Sequence, residues 1–277
     1  MESTKSWKHS LLFLCLMMIF CFLFSGCGRE VKSESVETKE NLPVVRVGLE
    51  LYAPFVYLDV SGNYVGIDID IAKEAFHRVG YKPEFVLINW EDKDKLLSDG
   101  EIDCIWCCYS MSERRYWYRW AGPYMKSRQV VAVNPYVDIQ HLSDLKDKVV
   151  AVRSTTKAEG LLNIAEENGL AVGNVYSFYD RNLMFTSLYK GYVDAIAGHE
   201  EALRQYMKDN QLDFRILPEP LEVTGIGAAF SRTDSRKMIA DLDVAMKDMA
   251  NDGTTEAILK KYLDNPSDFL QGVRSHD

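Results

Sequence analysis

The chain changes rhythm several times. Residues 11–24 are an apolar run behind Lys5 and Lys8, too short to cross a bilayer comfortably and suited to the hydrophobic region of a secretory signal. Residues 28–41 are rich in Glu, Lys, Ser and Thr and hold no aromatic residue; they cannot bury enough surface to fold and read as a tether. From Pro43 onward, short apolar runs of strand length alternate with stretches of helical period.

Val44-Val45-Arg46-Val47-Gly48-Leu49 alternates like a strand. A turn at Tyr52-Ala53-Pro54-Phe55 and a hairpin turn at Ser61-Gly62-Asn63 then lead into a helix predicted over 68–79, closed by Gly80. A strand at 84–89, a helix at 91–98 and an apolar strand at 102–108 complete a first set. A second set places strands at 130–134, 149–152, 175–178 and 195–197, with helices at 142–145, 157–168 and 183–190 between them. The strand at 225–230 and the amphipathic helices at 242–249 and 255–262 form no unit of their own and are predicted to return to the first. Strands alternating with helices imply an α/β fold with a mostly parallel sheet in two lobes. In such sheets ligands sit beyond the carboxyl ends of the strands, where Tyr52, Trp90 and Tyr109 fall.

Composition narrows the chemistry. A formal net charge of −9 excludes a nucleic-acid partner, which would need a basic surface. Three of the six cysteines, Cys15, Cys21 and Cys27, precede the folded part, and the others, Cys104, Cys107 and Cys108, crowd into one apolar segment. An odd, clustered set is no disulfide scaffold. A Cys-x-x-Cys pair can be redox-active or bind metal, but without a second ligand cluster the thiols read as small buried apolar groups. There is no P-loop, dinucleotide fingerprint, HExxH or Gly-x-Ser-x-Gly, so no cofactor, metal or acyl-transfer chemistry is expected.

Leu23-Phe24-Ser25-Gly26-Cys27 resembles the bacterial lipoprotein processing site, in which the cysteine is acylated and becomes the first residue. That resemblance implies removal of residues 1–26 as a signal peptide. Residues 27–42 then form a lipid-anchored tether, and the protein sits outside the cytoplasm, held to the membrane through Cys27. The alternative is an ordinary signal peptide with an incidental cysteine.

Tyr52-Ala53-Pro54-Phe55, Gly66-Ile67-Asp68-Ile69-Asp70-Ile71-Ala72, Asp99-Gly100-Glu101-Ile102-Asp103 and Ser112-Glu113-Arg114 occur in an order and spacing that resembles the family 3 extracellular solute-binding proteins, receptors of ABC importers for polar amino acids. Asp144-Leu145-Lys146-Asp147-Lys148, Thr155-Thr156-Lys157-Ala158-Glu159, Gly191-Tyr192-Val193-Asp194-Ala195 and Asn251-Asp252-Gly253-Thr254 continue the likeness. The resemblance implies a two-lobed periplasmic-binding-protein-like fold of type II, with the ligand in a cleft between lobes joined by two crossing strands. Lobe 1 is expected at 43–126 and 225–277 and lobe 2 at 127–224, with the crossings at 124–129 and 222–226. The implied partners are a small amino-acid-like ligand and an importer permease, with the binding protein itself a monomer.

The resemblance also assigns the site. Arg114 matches the family's arginine that forks onto a ligand carboxylate, a planar bidentate task suited to guanidinium. Thr155 and Thr156 precede a predicted helix start; they either close the carboxylate site from the second lobe or simply cap the helix, Thr156 and Glu159 having capping-box spacing. Tyr52 and Trp90 match aromatics that sandwich the ligand side chain, and Cys107 and Tyr109 match positions that accept from a ligand ammonium.

Two departures concern the ammonium. Where relatives carry an aspartate before the first aromatic, this chain has Leu49 with Glu50 beside it. Where the second lobe usually supplies an aspartate, it has His199 followed by Glu200 and Glu201. Either Glu50 or Glu200 takes the ammonium, or the ligand lacks a standard one. His199 is read as a ligand contact or as a structural histidine. The competing function is an enzyme on the same fold, a cyclohexadienyl-type dehydratase, for which His199 with Glu200 is the candidate acid-base pair.

Overall fold

The computed structural model describes residues 42–273; the expected signal segment, Cys27 and all but the last residue of the tether lie outside them. The chain begins with β1 (Val44–Leu49), a hairpin of β2 (Tyr57–Leu58) and β3 (Tyr64–Val65), α1 (Ile67–Arg78) and β4 (Lys82–Leu87). A 3-10 turn at Trp90–Asp92, α2 (Lys93–Ser98) and β5 (Cys104–Ile105) follow. α1 forms where the sequence predicts it. Ile67, Ile69, Ile71, Ala72, Ala75 and Phe76 are buried, Asp68 and Asp70 stand in the first turn, and His77 and Arg78 stand in the last, which suits the helix dipole. Its entry requires Gly66: φ is +130°, and a Cβ there would sit 2.3 Å from the Phe55 carbonyl oxygen.

The 16-residue β6 (Tyr118–Val133) comes next; it joins the crossing expected at 124–129 to the strand predicted at 130–134 and starts earlier than either. It is followed by a 3-10 turn at Leu142–Leu145, β7 (Val149–Arg153), α3 (Lys157–Asn163), β8 (Asn174–Phe178) and α4 (Arg181–Tyr189). β9 (Ala195–His199), α5 (Glu200–Asp209), β10 (Arg215–Ile216), β11 (Glu222–Ser231), α6 (Met238–Asn251) and α7 (Thr254–Leu259) complete the order.

Apart from the separate β2-β3 hairpin, the strands form one mixed sheet in the order β4-β1-β5-β11-β6-β9-β7-β8, with β10 on β6. β1 pairs in parallel with β4 and β5, and β7 with β8 and β9, as βαβ units require. The centre departs from the expected parallel sheet, because β6 and β11 run antiparallel to each other from Glu222↔Gln129 to Ser231↔Tyr118. Their pairing slips at Gly227, where a Cβ would lie 2.7 Å from the Ala121 carbonyl oxygen, so the bulge there needs a glycine.

Three cores explain two lobes. One joins Val47, Phe76 and Trp106 to Tyr124, Phe230 and Met246, and so draws on both ends of the chain. A second gathers Val131, Val133, Leu145, Val152 and Leu217, and a third Val130, Ala132, Phe185, Ile196 and Leu203. Alternate residues of β6 belong to different clusters, so these two cores cover opposite faces of the same strands. Between Met125 and Val130, β6 leaves the first core and enters the others.

Candidate functional site

The carboxyl ends of β1, β4, β5, β7, β8 and β9 converge on one narrow cavity, lined among others by Glu50, Tyr52, Trp90, Arg114, Arg153 and Arg181. The free space is about 30 Å³, room for a water or two. The cavity is narrow because long side chains from both sides fill it.

On the first side, the predicted strand at 102–108 stops after Ile105. Cys108 turns to φ +46° and its N–H donates to Asp68 Oδ2 at 2.6 Å. Asp68 also accepts from the Tyr124 hydroxyl at 2.6 Å and is 1% exposed; burial pushes its carboxyl up to about 7 despite both bonds. This acid therefore anchors the loop that presents Cys107 and Tyr109. The thiols of Cys104, Cys107 and Cys108 are buried and free, and burial pushes all three up, the opposite of thiolate activation.

Tyr109 organises the aromatic wall. Its ring meets Trp90 edge-on at 5.5 Å and Tyr118 at 5.6 Å, and its hydroxyl lies 3.0 Å from that of Tyr118. The Arg114 guanidinium lies 4.7 Å from the centre of the Tyr109 ring. Among the described residues, no carboxylate pairs with it.

Every other charged side chain in the wall is paired. Arg181, the first residue of α4, bonds Glu50 at 2.9 Å and reaches the Leu51 carbonyl at 3.5 Å, with its guanidinium 3.7 Å from the centre of the Tyr52 ring. Burial works against the Arg181 charge, but Glu50 and Tyr52 outweigh it and hold the group protonated. Arg153 bonds Glu91 and the Ser154 hydroxyl, with Glu50 at 3.8 Å. Lys157, nearly fully buried, bonds Glu113 at 2.6 Å and lies 3.4 Å from Glu222.

His199 ends β9 against the cavity, 7% exposed. The Ser127 hydroxyl donates to Glu201 at 2.7 Å, so the 2.7 Å contact between Ser127 Oγ and His199 Nδ1 must be donated by the imidazole. His199 Nε2 then accepts from the Gln129 amide at 2.8 Å. The ring is neutral: burial, then Arg181 and Arg114, push it down to about 3.

Seven of the nine expected site residues, Tyr52, Trp90, Cys107, Tyr109, Arg114, Thr156 and His199, line this one cavity. Glu200 and Thr155 do not. Glu200 starts α5 and turns to a separate cavity of about 600 Å³, where it pairs with Arg128 at 3.0 Å and Arg204 at 2.7 Å. Thr155, at φ +55°, gives its N–H to Glu159, one residue earlier than a capping box requires. The Thr156 hydroxyl donates back to the Arg153 carbonyl at 2.6 Å, and the helix it precedes ends at Asn163 instead of 168.

Among the polar lining residues, sequence reasoning missed Arg153, Lys157, Arg181, Gln129 and Ser110. A charged residue at the carboxyl end of an apolar strand was the available signal for Arg153; Arg181, after the Asp180 cap of α4, had only its place after β8.

The model of the bacterial extracellular solute-binding proteins, family 3, matches residues 45–265. The histidine-binding periplasmic protein of Salmonella typhimurium is 31% identical over 233 residues, 79% of this chain and 87% of that protein. Among solved structures, an ancestral arginine-binding protein bound to arginine superposes with a TM-score of 0.71 at 28% identity, over 80% of this chain and 98% of the other. An ancestral amino acid-binding protein described as a precursor of cyclohexadienyl dehydratase superposes at 0.69 and 26% identity, over 80% and 96%.

Proposed function

The chain belongs to the bacterial extracellular solute-binding proteins, family 3, and on that basis we propose that it captures an amino acid or related small carboxylate for an ABC importer by closing two lobes over it. The observation that carries this reading is Arg114. In a wall where every other charged side chain has a partner, its guanidinium faces the cavity with none among the described residues, and a planar fork of donors suits a carboxylate best.

Glu50 is the carboxylate in the wall that supports an ammonium subsite, and Gln129, whose carbonyl oxygen is buried without a partner, offers a second acceptor. Glu200 is left out of that role by its turn toward Arg128 and Arg204. Capture, in this reading, works by population: a ligand bonded to groups from both sides stabilises the closed arrangement only by its differential affinity for it.

Catalysis is the weaker reading. The acid-base pair expected for a dehydratase does not assemble, since His199 has both ring nitrogens engaged and Glu200 lines another cavity. The proposal extends to a monomer outside the cytoplasm, anchored through Cys27 and handing its ligand to a membrane permease. No helix among the described residues is long and apolar enough to cross a membrane.

Isothermal titration of the purified protein against the amino acids and small carboxylates tests the function. A saturable ligand whose affinity falls at least about tenfold in Arg114→Ala is expected. Binding that ignores Arg114 would remove the site assignment.

A further inference from the structure

The charged groups of the cavity are distributed unevenly. Arg114, Arg153, Lys157 and Arg181 line it, against the carboxylate of Glu50 alone. Glu91, Glu113 and Glu222 neutralise Arg153 and Lys157 from positions that do not line the cavity. Glu50 itself is bracketed by Arg181 at 2.9 Å and Arg153 at 3.8 Å. A ligand bearing a second positive charge would meet no free carboxylate there, and several cations.

Arg181 sharpens this. Its guanidinium lies 3.7 Å from the centre of the Tyr52 ring, so the aromatic face best suited to a cationic side chain is already covered by one belonging to the protein. Arg181 is fixed there by two elements: Asp180 caps α4, accepting from the Asn182 N–H at 2.7 Å, and Glu50 holds the guanidinium. The donors left over are those an anion needs. A guanidinium has five N–H groups, of which Arg181 directs a minority to Glu50 and Leu51. Trp90 Nε1 is a buried donor with no partner.

We propose that Arg181 makes this cleft selective for short ligands with two acidic groups, one held by Arg114 and the other by Arg181, and closes it to cationic amino acids. The inference rests on the binding function proposed above and narrows its ligand class. Acidic amino acids and dicarboxylates without an ammonium share the required chemistry, and Gln129 Oε1 with Glu50 would favour the former.

Isothermal titration of the purified full chain tests it with L-glutamate, L-aspartate, succinate, glutarate, L-glutamine, L-arginine and L-lysine. At least one diacid is expected to bind ten times or more tightly than glutamine, arginine or lysine. Glutamate against glutarate, and aspartate against succinate, show whether the ammonium counts. Arg181→Met should weaken the diacid at least tenfold and raise the affinity for arginine. Arg181→Lys, which keeps the charge and loses the fork, should fall between. Glutamine, arginine or lysine binding wild type as tightly as any diacid overturns the selectivity; if that binding still needs Arg114, the receptor function stands. Silence from every carboxylate overturns both.

Discussion

Ser127 on β6 and His199 at the end of β9 meet at 2.7 Å, and the same hydroxyl donates to Glu201 at the start of α5. A strand that passes between the cores is thereby fixed to a residue of the cavity wall through one oxygen atom. All three side chains are buried, so the bonds lack competition from water.

Replacing Ser127 with Ala leaves a buried carboxyl and an imidazole N–H without that partner. The expected cost is about 1–3 kcal/mol, a fall in melting temperature of roughly 2–10 °C for a domain of this size. Thermal unfolding followed by circular dichroism measures it, and an unchanged midpoint would show that the network carries no stability.

Glu201 also gives the protein a pH dependence. Burial pushes its carboxyl up from 4.5 to about 7, so the native state binds this proton more strongly than the unfolded chain. Stability from this group is therefore full below pH 4.5 and is lost as pH rises through about 7, by about 3 kcal/mol. Asp68, pushed up from 3.8 to about 7, acts in the same direction. His199, pushed down from 6.5 to about 3, acts oppositely, adding stability as pH rises across that interval. Glu201→Gln removes one of the two acid contributions. Its melting temperature should gain on wild type between pH 5 and pH 8, and a constant gap would exclude the assignment.

Arg114→Ala tests the cavity without testing the fold. The guanidinium rests on Tyr109 and makes no side-chain hydrogen bond among the described residues, so ligand-free stability should move by no more than about 0.5 kcal/mol. Carboxylate affinity should fall roughly 10- to 100-fold, the worth of a lost charge-assisted pair. A folded variant with intact affinity would place the carboxylate elsewhere.

Arg153 with Glu91 and Lys157 with Glu113 join segments that follow β7 to segments that follow β4 and β5, and Arg181 with Glu50 does the same from β8 to β1. These pairs bridge the two sides of the cavity by contacts a ligand does not supply. Glu91→Gln should shift the ligand-free protein toward an open arrangement, by about tenfold in population if the pair is worth about 1.4 kcal/mol. Small-angle scattering would register a larger radius of gyration than wild type; identical curves would show that closure does not depend on this pair.

Much of this was legible beforehand because period and punctuation are local properties. β1, α1 and the strand at 174–178 appear within a residue or two of their predicted places. What failed depended on distant residues. The strand at 102–108 reads as one apolar run, yet Cys108 turns out of it to bond Asp68, forty residues away in the chain. The first residues of β6, from Tyr118 to Pro123, escape because they are not continuously apolar; they are held by pairing with β11. At the site, motif positions identified the residues that lie beside a turn, such as Tyr52 and Arg114. Arg181 escaped because nothing in its neighbourhood shows that it crosses to Glu50 and Tyr52. Glu200 falls outside this cavity because β9 ends at His199, which faces it, whereas Glu200 and Glu201 open the next helix and line the second cavity.

The core that unites Val47 with Phe230 has a consequence for how the chain assembles. Cys104 pairs with Phe230, so the edge of β5 stays open until more than a hundred intervening residues have been placed. The segment from β6 to Leu217, just past β10, by contrast, buries its two cores with residues drawn from within itself. A chain synthesised amino end first therefore delivers the opening strands earliest and completes their half last, with the middle portion free to organise first. Long-range pairing of this kind slows folding, and it leaves β1, β4 and β5 as the exposed strands of the incomplete molecule.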